Sequence, residues 1–104
     1  MVFAGLLAIA LFLTLQPKAD GYTNQVLALT GDPAHGRAIF VMNCVACHGQ
    51  WADGEVGPSL RGVGEKLSPR QLVHQVVSGQ TPPMPQFQPS PQEMADLLSY
   101  LRKL

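Results

Sequence analysis

Two cysteines and a histidine form the densest group of reactive side chains in the chain. They lie in the sequence Cys44-Val45-Ala46-Cys47-His48, which contains both cysteines of the protein. Residues three positions apart share one face of a helix, so both thiols could reach the two vinyl groups of one porphyrin. The adjacent His48 could then bind the iron as its proximal ligand. The spacing therefore predicts haem c, attached covalently through Cys44 and Cys47.

Three other uses of such a cysteine pair are open. A thioredoxin-like redox site needs a βαβ context, and no strand pattern is present. A zinc site would need His35 or His74, and neither has a finger-like spacing from the cysteines. A structural disulfide is compatible with export, but it would close a very small loop and add little stability.

The second axial ligand of the iron has several candidates among four methionines and two further histidines. Met1 lies in the apolar leader, Met42 on the proximal side, and Met94 on the inward face of the last predicted helix. Met84 lies in the irregular segment TPPMPQF, which could fold over the opposite face of the ring. Prolines on both sides restrict its backbone, so little entropy is lost when its sulfur is fixed. We predict Met84 as the ligand; the alternatives are His74 or a polyproline II segment without iron.

Two residues downstream could support the site. A ligating histidine normally donates its other ring N–H to an acceptor, and the carbonyl of Pro58 is a candidate for His48. Arg61 could pair with a haem propionate or be an ordinary surface arginine. His35, on the first predicted helix, is expected to be a surface residue.

The N-terminal residues 1–16 are predicted to be a signal peptide or membrane anchor. Val2 to Leu15 contain no charge. As a helix they would span about 21 Å, short of the roughly 30 Å hydrocarbon core. That length is typical of the apolar region of a signal peptide. A retained anchor and a cleaved leader are both open, and residues 17–30 are predicted to be a linker.

The remaining residues, 31–104, are predicted to form an all-α haem domain. Three helices are expected to begin where a capping residue precedes proline, at Asp32-Pro33, Ser68-Pro69 and Ser90-Pro91. Gly79 should end the second helix. A glycine-rich loop and a segment with five prolines, 81–91, separate the helices. A domain of roughly 75 residues is only marginally stable with its own hydrophobic core, and a buried porphyrin would supply the missing apolar surface.

The motifs together resemble those of class I c-type cytochromes. They are Gly36…Phe40…Cys44-x-x-Cys47-His48, Gly57-Pro58-x-Leu60, Met84-Pro85-x-Phe87 and Leu97…Tyr100-Leu101. The resemblance covers about residues 31–104. It implies the class I cytochrome c fold, with about three helices and long loops around one covalent haem, preceded by an apolar N-terminal helix. It also implies that the first helix of the domain packs against the last through these motif residues.

The resemblance implies a one-electron carrier with His48 and Met84 as iron ligands, and not an enzyme. The detailed sequence is most similar to small monohaem cytochromes of cyanobacterial photosynthetic and respiratory membranes. The implied partners are a quinol-oxidising cytochrome complex, a terminal oxidase or a photosystem. The implied location is the thylakoid or cytoplasmic membrane, with the haem domain of a monomer on the luminal or periplasmic side.

The balanced charge of the chain argues against a nucleic-acid partner. The chain has seven Lys and Arg and seven Asp and Glu, so a nucleic-acid partner bound by phosphate neutralisation is not expected.

Two functions other than electron transfer are open. The first alternative function is a haem sensor or an enzyme in which peroxide or a diatomic gas displaces Met84 from the iron. The second is a haem subunit of a larger membrane oxidoreductase.

Overall fold

The described part of the chain, residues 2–15 and 21–104 of a computed structural model, consists of helices, turns and loops without a strand. Its helices are α1 (Val2–Leu15), α2 (Gly21–Ala28), α3 (Pro33–Asn43), α4 (Val45–His48), α5 (Val63–Lys66), α6 (Pro69–Ser78) and α7 (Pro91–Leu101). The predicted all-α fold and the apolar N-terminal helix are both confirmed.

The three helices predicted from capping signals are α3, α6 and α7. Asp32 accepts a hydrogen bond from the backbone N–H of Ala34 at 3.0 Å, which caps α3. Ser68 and Ser90 each form a capping box, with Gln71 and Glu93 respectively. These side chains satisfy amide groups that a helix start leaves without partners, which explains why the predicted starts are correct.

The core lies where α3 crosses α7. Phe40 and Leu97 are completely buried, and the rings of Phe40 and Tyr100 lie 5.4 Å apart. At Gly36 the backbones of the two helices are too close for a side chain, because a Cβ there would lie only 2.5 Å from the carbonyl carbon of Asp96. The predicted packing of the first haem-domain helix on the last is therefore present, and it depends on a glycine at the crossing.

The expected linker contains a helix that packs on the haem domain. In α2, Thr23 and Val26 are buried against α6 and α7, and the Tyr22 hydroxyl donates to the carbonyl of Pro89 at 2.8 Å. Residues 21–28 of the predicted linker are thus helical and pack on α6 and α7. A helix of eight residues is marginal alone, so it depends on this tertiary packing, which the local sequence does not reveal. The division of the chain into 1–16, 17–30 and 31–104 stays a prediction.

Helix α1 is uncharged, and the side chains of residues 3–11 are exposed. Phe3 is 80% exposed and Leu7 is 71% exposed. Among the described residues, no helix combines the length and apolar character required to cross a bilayer.

A buried carboxylate joins α3 to α7 next to their crossing. Asp96 is 4% exposed. It accepts hydrogen bonds from the backbone N–H of Asp32 at 2.8 Å, from Gln92 Nε2 at 3.0 Å, and pairs with His35 Nδ1 at 2.6 Å. The ring of His35 is exposed, as predicted for a surface residue, and this contact also ties it to α7.

Both partners of this pair have shifted pKa values. The hydrogen bond to Asp96 raises the pKa of His35, and the carboxylates of Asp32 and Glu93 add to the effect. Burial raises the pKa of Asp96, but its hydrogen bonds from His35, Asp32 and Gln92 outweigh burial and lower it overall. The charged pair is therefore favoured over a wide range of mildly acidic pH.

The pair should make stability depend on pH. The contribution of protonated His35 is fully present below about pH 6.5, its pKa in an unfolded chain, and is lost as pH rises through the raised folded value. We expect His35→Ala to reduce the free energy of unfolding more at pH 5.5 than at pH 8.5, measured by urea denaturation. His74→Ala, which removes an exposed histidine elsewhere, is the control. Equal losses at both pH values for His35→Ala would contradict the assignment.

Candidate haem site

Cys44 lies at the junction of α3 and α4, and Cys47 lies within α4. Cys44 follows the last residue of α3 with φ −119° and starts the single turn of α4, where the amide of His48 donates to the Cys44 carbonyl at 3.0 Å. Both thiols are free and half-buried. Burial, with a smaller contribution from Cys47, raises the pKa of Cys44 to about 11. Both cysteines are thus free thiols three positions apart in the chain, as covalent attachment to one porphyrin requires.

The ring of His48 is held in one orientation. His48 is 8% exposed, and its Nδ1 lies 2.8 Å from the carbonyl oxygen of Pro58. A carbonyl can only accept, so Nδ1 carries the proton and donates it. In the neutral ring, Nε2 then has the lone pair available to iron, which is the tautomer that a haem ligand needs.

The loop that carries Pro58 lies directly against the imidazole. A Cβ at Gly57 would be 2.9 Å from His48 Cε1 and 3.1 Å from Nδ1, so a glycine is needed there. The amide of Gly57 donates to the Cys47 carbonyl at 2.6 Å, and the amide of Gly54 donates to the His48 carbonyl at 2.8 Å. These bonds fix the loop to the attachment segment.

Met84 is the candidate for the opposite face of the haem. Its side chain is half-buried against the core, and its sulfur lies 4.0 Å from Gln75 Nε2. The amide of Phe87 donates to the Val76 carbonyl at 3.1 Å, which ties the proline-rich segment to α6. Sequence reasoning missed Gln75, since no local pattern reveals which α6 side chain this segment meets.

The other candidate ligands occupy different surroundings. Met42 is 82% exposed and Met94 is buried in the core at 1% exposure. His74 is exposed, and its Nε2 lies 3.1 Å from Gln80 Oε1. His35 pairs with Asp96, as described above. The structure therefore accounts for the surroundings of each of these side chains without a bond to iron.

Arg61 is placed near the attachment loop but is exposed. Its backbone N–H donates to Ser59 Oγ at 3.2 Å. Among the described residues its guanidinium has no hydrogen-bond or ion-pair partner. A contact with a haem propionate stays a prediction.

An all-α fold that presents two free thiols and an oriented imidazole in this order defines a c-type cytochrome domain. The sequence profile of the family described as "Cytochrome C oxidase, cbb3-type, subunit III" matches residues 31–101. The chain therefore belongs to this family of c-type cytochrome domains. It carries covalent haem c with iron, and its class is that of haem electron carriers.

Curated relatives and a solved structure agree with this assignment. The chain is 61% identical over 99 residues to "Cytochrome c-553-like" of Synechocystis sp., covering 95% of this chain and 92% of that protein. It is 42% identical over 41 residues to "Cytochrome c-550" of Bacillus subtilis, covering 39% of this chain and 34% of that protein.

The fold is shared with cytochrome cL of Hyphomicrobium denitrificans. The TM-score is 0.59 at 22% identity, and the match covers 85% of this chain but 54% of that protein. The chain thus spans about half the length of cytochrome cL. This likeness concerns the fold alone, and it confirms the predicted class I cytochrome fold.

Proposed function

We propose that the protein is a one-electron carrier whose haem iron is bound by His48 and Met84. The observation that carries the proposal is the contrast among the possible ligands. The imidazole of His48 presents Nε2, and Met84 is half-buried on a restrained segment. In contrast, Met42 is exposed, Met94 is buried in the core, and His74 is exposed and contacts Gln80. Iron with two strong protein ligands changes between its ferrous and ferric states without gaining or losing a ligand.

The chain's own residues perform three tasks in this function. Cys44 and Cys47 hold the cofactor by covalent bonds, so it cannot dissociate. The Pro58 carbonyl keeps the proton of His48 on Nδ1 and the ring in one orientation. Gln75 contacts the Met84 sulfur at 4.0 Å, and the prolines around Met84 restrict its backbone, which lowers the entropy lost when the sulfur is bound.

We further propose that residues 1–16 attach the monomeric protein to a thylakoid or cytoplasmic membrane. The uncharged, exposed side chains of residues 3–11 support this, because they favour apolar surroundings. The haem domain would then lie on the luminal or periplasmic side. Its redox partners would be a quinol-oxidising cytochrome complex, a terminal oxidase or a photosystem, and attachment would raise the effective concentration for such partners.

A second candidate function is a haem subunit of a larger membrane oxidoreductase. The observation that favours it is the matching family, whose description names an oxidase subunit. The two functions differ in the lifetime of the complex. Co-purification with a membrane complex through detergent and high salt would favour the subunit, and recovery of a free monomer would favour the carrier.

Spectroscopy and ligand binding test the carrier function directly. The ferric protein should show the weak charge-transfer band of a methionine–iron bond, and the reduced protein should bind carbon monoxide slowly. A redox titration should follow a one-electron curve. Absence of the band together with rapid carbon monoxide binding would contradict the proposal and favour a sensor or a haem enzyme.

A further inference from the structure

A groove between α2, α7 and the start of α6 lies away from the haem site. We call it the basic groove and define it by Leu27, Leu29, Leu98, Arg70, Arg102 and Lys103. None of the predicted haem-site residues is among its lining residues. A ligand or surface in this groove would therefore leave the predicted haem site free.

The groove combines an apolar floor with a cationic rim. Leu27 is 37% exposed and Leu29 is 41% exposed, so apolar side chains are accessible in it. Three cations lie along the groove against one acidic residue, Glu65. Among the described residues neither Arg102 nor Lys103 has an ion-pair partner.

Helix dipoles do not explain all of these cations. Arg102 and Lys103 follow the last turn of α7, where a positive charge is favoured. Arg70, however, is the second residue of α6, where a positive charge is disfavoured. Its guanidinium is instead held toward α2 by a hydrogen bond to Asn24 Oδ1 at 3.1 Å. Helix dipoles therefore do not account for all of the positive charge in the groove. This charge complements an anionic surface.

The chain connectivity indicates which surface is nearby. Helix α1 ends at Leu15 and α2, one wall of the groove, begins at Gly21. Five residues separate them, and a fully extended chain of that length spans about 20 Å at most. A membrane that holds α1 therefore lies within about 20 Å of the start of α2.

We propose that the basic groove docks the haem domain on an anionic phospholipid surface. Arg70, Arg102 and Lys103 contact the phosphate groups, and Leu27 and Leu29 enter the boundary between headgroups and acyl chains. The proposal rests on the membrane attachment inferred above. Docking holds the domain with this face toward the bilayer and leaves the predicted haem site exposed to redox partners.

Hydrogen exchange of the full-length holoprotein in lipid nanodiscs tests the docking. Discs of phosphatidylcholine alone are compared with discs that also contain phosphatidylglycerol. Amides over residues 24–30 and 98–104 should exchange several-fold more slowly in the anionic discs, and 0.5 M salt should remove the difference. Arg102→Gln should reduce the protection about fivefold, the effect of one cation near an anionic surface.

A matched variant and the disc-bound fraction make the outcome decisive. Arg37→Gln removes an exposed arginine of α3 that does not line the groove, and it should keep the protection. Equal exchange in both kinds of disc, with the protein bound to both, would overturn the docking but not the attachment. Protein that binds neither kind of disc would overturn both. Protection that depends on protein concentration and not on phosphatidylglycerol would assign the groove to a second copy of the chain.

Discussion

Replacing Met84 with alanine should leave the haem covalently attached but change the ferric iron from low-spin to high-spin. Cys44 and Cys47 are unaffected by the substitution, so the thioether bonds remain. Loss of the sulfur ligand leaves an open or water-bound position, and the reduction potential should fall by a sizeable part of the roughly 0.8 V range that axial ligands span. Visible and EPR spectra, with a redox titration, measure these changes.

Met94→Ala is the matched control for this substitution. Met94 is buried at 1% exposure in the core of α7. Its truncation should therefore cost about 2–5 kcal/mol of unfolding free energy. The low-spin spectrum should be preserved. If Met94→Ala gave the high-spin spectrum and Met84→Ala only the loss of stability, the ligand assignment would be wrong.

The second large effect is expected at the helix crossing, from Gly36→Ala. The added methyl carbon would lie 2.5 Å from the carbonyl carbon of Asp96 and 3.0 Å from the amide nitrogen of Leu97. Both atoms belong to the backbone of α7, so no side-chain rotation can relieve the clash and the helices must separate. We expect a loss of about 3 kcal/mol or more, the upper range for overpacking. That is a large share of a typical stability of about 5–15 kcal/mol.

Gly21→Ala serves as the control for the crossing. A Cβ at Gly21 meets no heavy atom within 4 Å, so this variant should unfold at nearly the same urea concentration as the original protein. Urea denaturation followed by helical circular dichroism compares the two. Similar midpoints for Gly36→Ala and the original protein would show that the crossing has room for a methyl group.

Structural features that are determined by a few neighbouring residues could be predicted from the sequence. A serine before a proline, with Gln or Glu three positions into the helix, is enough to place the start of α6 or α7. The haem attachment motif is similarly local, because two thiols and an imidazole must act on one ring.

Features that depend on distant parts of the chain could not be predicted. The contact between His35 and Asp96 joins residues 61 positions apart. The local sequence around Asp96 does not indicate which distant residue it contacts. Helix α2 was missed because its stability comes from packing on α6 and α7. Helices α4 and α5 have four residues each, which is too short for a hydrophobic period to appear.

The crossing of α3 and α7 joins two parts of the chain that are synthesised at different times. Its hydrogen bonds link positions 61 and 64 residues apart, and such non-local contacts form late. Until residues 91–101 have been synthesised, α3 lacks the helix on which it packs. We therefore expect a porphyrin to reach Cys44 and Cys47 most easily before this crossing has formed.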